Sequence, residues 1–327
     1  MYGAVARGRR HYYASHPHLQ RALARPVISI GNLAAGGRAK TPLARLMASR
    51  LRDMGERPAV LSRGYARRDA ADGVVVVRDP GGMRADLDRA GDEPLMLARS
   101  LDGVAVLVSP DRYLAGRLAE RHFDCTVHVL DDGFQHFPLR RDADLVVVAQ
   151  EDLDAPRTLP AGHLREPLEA AAAADAFVAL DGVDRARLAE LARGRPVWAA
   201  RRRQGAARLA EPSGVPLQPS GGPVIAVAGI AGPSRFFAGL RDGGWTIARE
   251  LPYPDHHRYS RADLRWIADA AAETGAAAVL TTEKDLVRLL PLRPFPLPVA
   301  WVPLTLEVDD APGFDAWLAA ILKDARV

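Results

Sequence analysis

Cysteine occurs once in this 327-residue chain, at Cys125, so no internal disulfide can form and nothing in the sequence demands an oxidising compartment. Its neighbours are apolar and lead into a strand-like run, which makes core packing its expected role. Long hydrophobic runs are also missing. No stretch approaches the roughly 20 apolar residues that span a bilayer, and no apolar secretory segment with a cleavage site opens the chain. A protein that neither crosses a membrane nor leaves the cell is expected.

Lysine is nearly absent: Lys40, Lys284 and Lys323 stand alone among 44 basic residues. In a sequence crowded with Ala and Arg, a lysine inside a motif marks a place where a compact ammonium is needed that a planar guanidinium does not replace. Acidic residues are missing before Asp53, while Arg7, Arg9, Arg10, Arg21 and Arg25 crowd the same segment beside Tyr2, Tyr12, Tyr13, Leu19 and Leu23. Residues 1–25 read equally as a membrane-surface helix or as a solvated terminal arm, and Gly3, Gly8 and Pro17 weaken any long helix there. On the first reading the segment supplies surface affinity remote from any catalytic site. The net charge of +4 selects no partner, because the Ala and Arg enrichment runs the whole length.

What is present is an ordinary globular composition, 48% hydrophobic and 26% charged, in a length that suggests two domains. Apolar runs at Val27 to Ile30, Ala59 to Leu61, Val74 to Val77, Val104 to Val108, Thr126 to Leu130, Leu145 to Val148 and Phe177 to Leu180 alternate with helical patterns. This predicts an α/β fold with a mostly parallel sheet flanked by helices, over residues 1–200. Residues 201–222, rich in Arg, Gly, Pro and Ser, read as a linker. A second, smaller α/β domain follows over 223–327, and no internal repeat of fixed period occurs.

Between the first strand and its helix lies Gly31 to Pro42, GNLAAGGRAKTP. This is the outline of a P-loop, as in NTPases. The backbone of Asn32, Gly36, Gly37, Arg38 and Ala39 can converge on phosphate oxygens, the Lys40 ammonium reaches the outer phosphates, and the Thr41 hydroxyl ligates Mg²⁺ at a helix N-terminus. Ala34 and Ala39 replace the two glycines of the common pattern. A Gly-rich turn that merely caps a helix is the competing interpretation, and the rarity of lysine weighs against it. With flexibility already supplied by Gly36 and Gly37, Ala39 is expected to keep an ordinary backbone conformation, so that Ala39→Gly is neutral or mildly destabilising.

Asp131 and Asp132 follow the run Thr126 to Leu130, which places two carboxylates at the end of a strand, where open α/β sheets bind ligands and Mg²⁺ can be held. A surface Asp-Asp-Gly turn is the alternative, and the loop at Lys40 favours the metal. The islands Ser62 to Tyr65, Gly91 to Pro94 and Asp255 to His257 are compatible with capping or turns when taken singly. A transition-metal site at the His-His pair is not expected with a single cysteine and no ligand pair at helical spacing. A kinase using ATP and Mg²⁺ is thus expected. The residues alone leave open a P-loop kinase or ligase acting on a soluble small molecule, and a non-catalytic membrane-associated nucleotide switch.

In their order, the segments VISIGNLAAGGRAKTP (27–42), SRGY (62–65), GDEP (91–94), SPDR (109–112), DDGFQH (131–136), GHLREP (162–167), AGIAGPSRFFAGL (228–240), Asp255-His256 and TEKD (282–285) resemble the tetraacyldisaccharide 4'-kinases, the lipid A kinases of Gram-negative bacteria. The resemblance covers nearly the whole chain. It implies transfer of the ATP γ-phosphoryl group to the 4'-hydroxyl of an acylated glucosamine disaccharide 1-phosphate, at the cytoplasmic face of the inner membrane, with a peripheral attachment to its anionic surface. It also implies an active site in a cleft between two domains. Lys40 and Thr41 then contact phosphate and magnesium, supported by Asp131, Asp132, Gln135 and Glu166. Asp92 becomes the base for the sugar hydroxyl and His256 its partner, while Arg63, Tyr65, Arg112 and Arg165 become acceptor-side contacts. Neither a nucleic acid nor an obligate protein partner is expected. Two departures stand out: the family usually has Gly where this chain has Ala39, and it usually begins with a longer, more apolar helix than Met1 to Tyr13.

Overall fold

A computed structural model of the chain describes residues 2–36, 39–65, 67–69 and 73–326. They divide into two compact units, Met1–Arg202 with Leu306–Val327, and Arg203–Thr305. The first opens with α1 (Tyr2–Ser15), then β1 (Val27–Asn32), α2 (Lys40–Asp53), β2 (Pro58–Ser62), β3 (Val75–Asp79), β4 (Gly82–Met83), α3 (Leu87–Ala90), α4 (Asp92–Ser100), β5 (Ala105–Val108), α5 (Arg112–His122), β6 (Val127–Asp131), β7 (Ala143–Val148), α6 (Gln150–Asp154), β8 (Ala176–Leu180), α7 (Arg185–Ala192) and β9 (Val197–Gln204). Its strands β1, β2, β5, β6, β7 and β8 are buried along their whole length. Burial on both faces is why they read as continuous apolar runs rather than alternating ones.

From β9 to β5 the sheet runs β9-β8-β7-β1-β6-β2-β5, and every neighbouring pair in that run is parallel. An antiparallel edge of β3 and β4 follows. Because β7 and β6 flank β1 on opposite sides, the chain reverses its direction of winding there, and the crevice beyond the ends of β1 and β6 is the position where such sheets bind ligands. Register fixes the neighbours, since Ile30 pairs with Asp131.

The second unit contains β10 (Arg208–Leu209), β11 (Val224–Ala228), α8 (Pro233–Asp242), β12 (Ile247–Pro252), α9 (Arg261–Thr274), β13 (Ala278–Thr282), α10 (Glu283–Leu289) and β14 (Val299–Val302). Its sheet, β10-β14-β13-β11-β12, is parallel except for β10. Ser260 and Asp263 form a reciprocal capping box that starts α9, and Gly275 ends it in a left-handed conformation. Two apolar clusters cover the sheet, one centred on Ile225, Val227 and Ile267, the other on Ala226, Phe237 and Leu280.

Three boundaries differ from the sequence expectation. Residues 201–222 are not simply a connection, because they include the end of β9 and all of β10. The C-terminal β15 (Leu304–Val308) and α11 (Ala311–Asp324) return to the first unit, where Phe314 and Trp317 pack on Trp198 with ring centroids 5.0 and 5.4 Å away. The basic N-terminal segment is neither a free arm nor too weak to be a helix. α1 runs 14 residues and presses Gly3 against Thr158, where an added Cβ would lie 2.8 Å from the hydroxyl oxygen. Among the described residues no helix is long and apolar enough to cross a membrane.

Candidate active site

Gly31 permits the end of β1 to meet the turn after β6, since a Cβ there would sit 2.4 Å from that of Phe134. Beyond it Asn32 is fully buried, and its side-chain oxygen accepts from Lys40 Nζ at 2.9 Å. Lys40 opens α2 and also lies 3.3 Å from Asp132 Oδ1 and 3.4 Å from the Gly36 carbonyl. Gly37 and Arg38, expected to contribute to the phosphate loop, lie outside the described residues. Ala39 caps α2 with φ 55° and ψ 24°, a left-handed conformation, and supplies no side-chain cap. The expectation of an ordinary backbone at Ala39 is therefore wrong, and its side chain satisfies none of the first N–H groups of α2.

The four residues expected at the metal separate into two pairs. Thr41 Oγ1 is 3.4 Å from Asp131 Oδ2, and both residues are buried. Burial, reinforced by the charges of Glu93 and Asp132, pushes the Asp131 carboxyl up to about 7 against the opposing pull of Lys40. Its Oδ1 is buried with no hydrogen-bond partner among the described residues, an acceptor that a ligand could satisfy. Asp132 and Glu166, by contrast, are each held by arginine. Arg165 grips Asp132 with two hydrogen bonds of 3.0 and 2.8 Å. Burial would raise the Asp132 carboxyl, but Arg165 and Lys40 outweigh it and bring it down to about 2. Glu166 accepts two bonds from Arg10 of α1, at 2.9 and 2.7 Å, and one from Gln135 at 3.0 Å. The charge of Glu166, expected at the metal, is here balanced by an arginine 156 residues away.

The segment 163–166 braces the phosphate loop. His163 accepts the Ala35 N–H through its carbonyl, Leu164 bridges Ala34, and the Arg165 N–H donates to the Leu33 carbonyl. Arg165 also reaches Asn32 Oδ1 at 2.6 Å, and Gln135 donates to the Asn32 carbonyl at 2.9 Å. Arg10, stacked 4.2 Å over the Phe134 ring, is thereby linked through Glu166 and Gln135 to the loop itself. Nothing in the local sequence pairs Arg10 with Glu166, and the expected remoteness of the N-terminal segment from the phosphate loop does not hold.

The remaining first-unit candidates sit where β2 and β5 end and where α4 begins. Gly64 and Gly91 both have positive φ, and a Cβ on Gly91 would lie 2.7 Å from the Tyr65 carbonyl, so the SRGY and GDEP turns meet backbone to backbone. Asp92 begins α4, is buried, and accepts the Glu93 N–H at 3.0 Å. Arg112 is buried, with its guanidinium lowered to about 10 by burial and by the charge of Arg63, and it feels Asp132 and Asp131. Its Nε has no partner among the described residues. Tyr65 is exposed. Within the second unit, His256 follows Asp255 in a turn with φ 60°. Lys284 and Asp285, which had no role in the sequence, prove to be its neighbours and support.

A strand, a glycine-rich loop, a Lys-Thr pair opening a helix, and a buried carboxylate at the end of the adjacent strand define a nucleotide-dependent phosphotransferase of the P-loop class. The family model described as LpxK, tetraacyldisaccharide-1-P 4'-kinase, matches residues 1–323, and the chain belongs to this family. It is 37% identical over 320 residues to the tetraacyldisaccharide 4'-kinase of Syntrophus aciditrophicus, covering 91% of this chain and 84% of that protein. It is 38% identical over 334 residues to the protein of the same name from Bradyrhizobium sp., covering 100% and 92%. A crystal structure of "apo" form LpxK from Aquifex aeolicus in complex with ATP shares 31% identity, with a TM-score of 0.81 over 98% of this chain and 96% of that one.

Proposed function

We propose that this protein transfers the γ-phosphoryl group of ATP to the 4'-hydroxyl of a tetraacylated glucosamine disaccharide 1-phosphate, the precursor of lipid A. One observation carries the reading: the unsatisfied Oδ1 of buried Asp131 beside the Thr41 hydroxyl, with Lys40 alongside, in a chain matched end to end by a 4'-kinase family. The donor set fits Mg²⁺, which typically takes one or two carboxylates and completes its shell with water and substrate phosphates.

When bound, ATP with its metal ion supplies the phosphoryl group and neutralises part of its charge. Lys40, tied to Asp132 and Asn32, is poised to exchange those partners for the outer phosphates. Thr41 and Asp131 would hold the metal. Asn32 and Gln135 fix the loop, while Gly36 and Ala39 present backbone to phosphate. Asp92 accepts the proton of the attacking sugar hydroxyl, His256 takes part in the transfer, and Arg63, Arg112 and Arg165 supply positive charge and Tyr65 a hydroxyl on the acceptor side. Such chemistry needs positioning and charge stabilisation more than covalent participation.

On this reading the reaction runs at the cytoplasmic face of the inner membrane, with α1 resting on an anionic lipid surface. Tyr2, Val5 and Tyr12 are exposed on this helix while Arg10 faces inward, an arrangement suited to interfacial contact. Incubating the protein with ATP, Mg²⁺ and the disaccharide 1-phosphate should give a product heavier by one phosphoryl group. ATP binding without that product would overturn the reading.

A further inference from the structure

The second unit carries a buried polar hub beneath His256. Asp285 is fully buried and accepts the Tyr259 hydroxyl at 3.0 Å, the Gly229 N–H at 3.1 Å, the Thr282 hydroxyl at 2.6 Å and Arg288 at 3.0 Å. Arg288 in turn donates to the Gly229 carbonyl at 2.7 Å, so the turn after β11 is clamped through both its N–H and its C=O. That carbonyl also accepts the N–H of His256 at 3.2 Å. His256 is left-handed, a conformation that a non-glycine residue keeps only where its surroundings impose it. The same hub fixes the start of α10, because the Asp285 N–H donates to the capping Thr282 hydroxyl at 3.0 Å. Lys284 is thus delivered with its Nζ 3.3 Å from His256 Nε2 and 3.8 Å from Asp255 Oδ1.

An ammonium has three donors and no acceptor, so this contact is a hydrogen bond only when Nε2 carries no proton. The neutral ring then bears its proton on Nδ1, and the nitrogen facing lysine is fixed by that bond. We propose that Lys284 is a positioning residue for His256: its ammonium holds the imidazole in the Nδ1–H tautomer and in one orientation, leaving Nδ1–H as the only donor the ring can offer. This rests on the reading that His256 takes part in phosphoryl transfer. It also accounts for a lysine at position 284 in a chain that uses arginine at most basic positions, since a compact ammonium fits between Asp255 and an imidazole better than a planar guanidinium does.

The first test uses ¹⁵N-labelled full-length protein without substrates, with His256 ring signals identified by their loss in His256→Gln. The expected wild-type spectrum shows an unprotonated Nε2 and a protonated Nδ1, and Lys284→Met should move the ring toward the Nε2–H form; an unchanged ring in that variant overturns the proposal. The second test is kinetic. Lys284→Met should lower kcat by about 10- to 100-fold, the range seen when a residue orienting a histidine is lost, with KM for ATP within about twofold. Lys284→Arg, which restores a donor, should recover part of the loss. In a His256→Ala background Lys284→Met should cost nothing further, whereas an equal loss there would place Lys284 on substrate directly and overturn the positioning role. If His256→Ala is fully active while the ring still responds to Lys284, the pairing is supported and the part assigned to His256 in transfer is overturned.

Discussion

Replacing Ala39 by glycine should stabilise the protein, contrary to what its sequence context suggests. The residue sits at φ 55° and ψ 24° immediately before Lys40. An L-residue in that region brings Cβ against the carbonyl oxygen at a cost of about 1–2 kcal/mol. Glycine removes this strain but gives the unfolded chain more freedom, which offsets about 0.4–1 kcal/mol. The net expectation is a gain of about 0.5–1 kcal/mol, read as a higher midpoint of urea denaturation with an unchanged slope. The ATP Michaelis constant offers an independent readout, because a loop relieved of its methyl lets backbone approach phosphate more closely. A lower midpoint for Ala39→Gly would show that the alanine conformation is unstrained and refute the reasoning.

Three further outcomes follow from the site. Asp131 is raised to about 7 in the folded protein, so metal-free stability is fullest below the ordinary carboxylate range near pH 4 and falls as the pH rises through 7; Asp131→Asn should flatten this slope in pH-dependent denaturation, gain up to a few kcal/mol (roughly) above pH 7, and lose Mg²⁺ binding. Arg10→Ala leaves Glu166 buried without its cation and should destabilise by about 3 kcal/mol, while also weakening ATP binding through Gln135 and Asn32 with vesicle binding largely kept; unchanged ATP affinity by calorimetry would break that link. Asp92→Asn and His256→Ala should each lower kcat more than they weaken ATP binding; a loss of ATP affinity as large as the loss of kcat would contradict their part in transfer.

The phosphate loop was legible because its chemistry is local: strand, glycines, lysine, threonine and helix follow one another, and the scarcity of lysine drew attention to Lys40. Asp131 was equally visible at a strand end. What separates it from Asp132 was not, because the difference lies in Arg165, 33 positions on, which neutralises one carboxylate and not the other. The pairing of Glu166 with Arg10 is hidden for the same reason, being set by the docking of α1. Propensity argued against that helix on account of Gly3, yet Gly3 is where α1 packs closest to Thr158, and tertiary contact overrides the local preference. The return of α11 to the first unit depends on Phe314 and Trp317 finding Trp198, which no period in the sequence records. The backbone of Ala39 was misjudged because composition upstream says nothing about the dihedral a helix start requires.

If Lys40, Thr41 and Asp131 carry phosphoryl transfer to a sugar hydroxyl, ³¹P–¹H correlation NMR on the product of the wild-type protein should locate the new phosphate at the 4' position, and Lys40→Ala assayed in parallel should show nearly abolished transfer; phosphate at another position, or near-normal turnover without Lys40, would show that these residues do not serve that reaction.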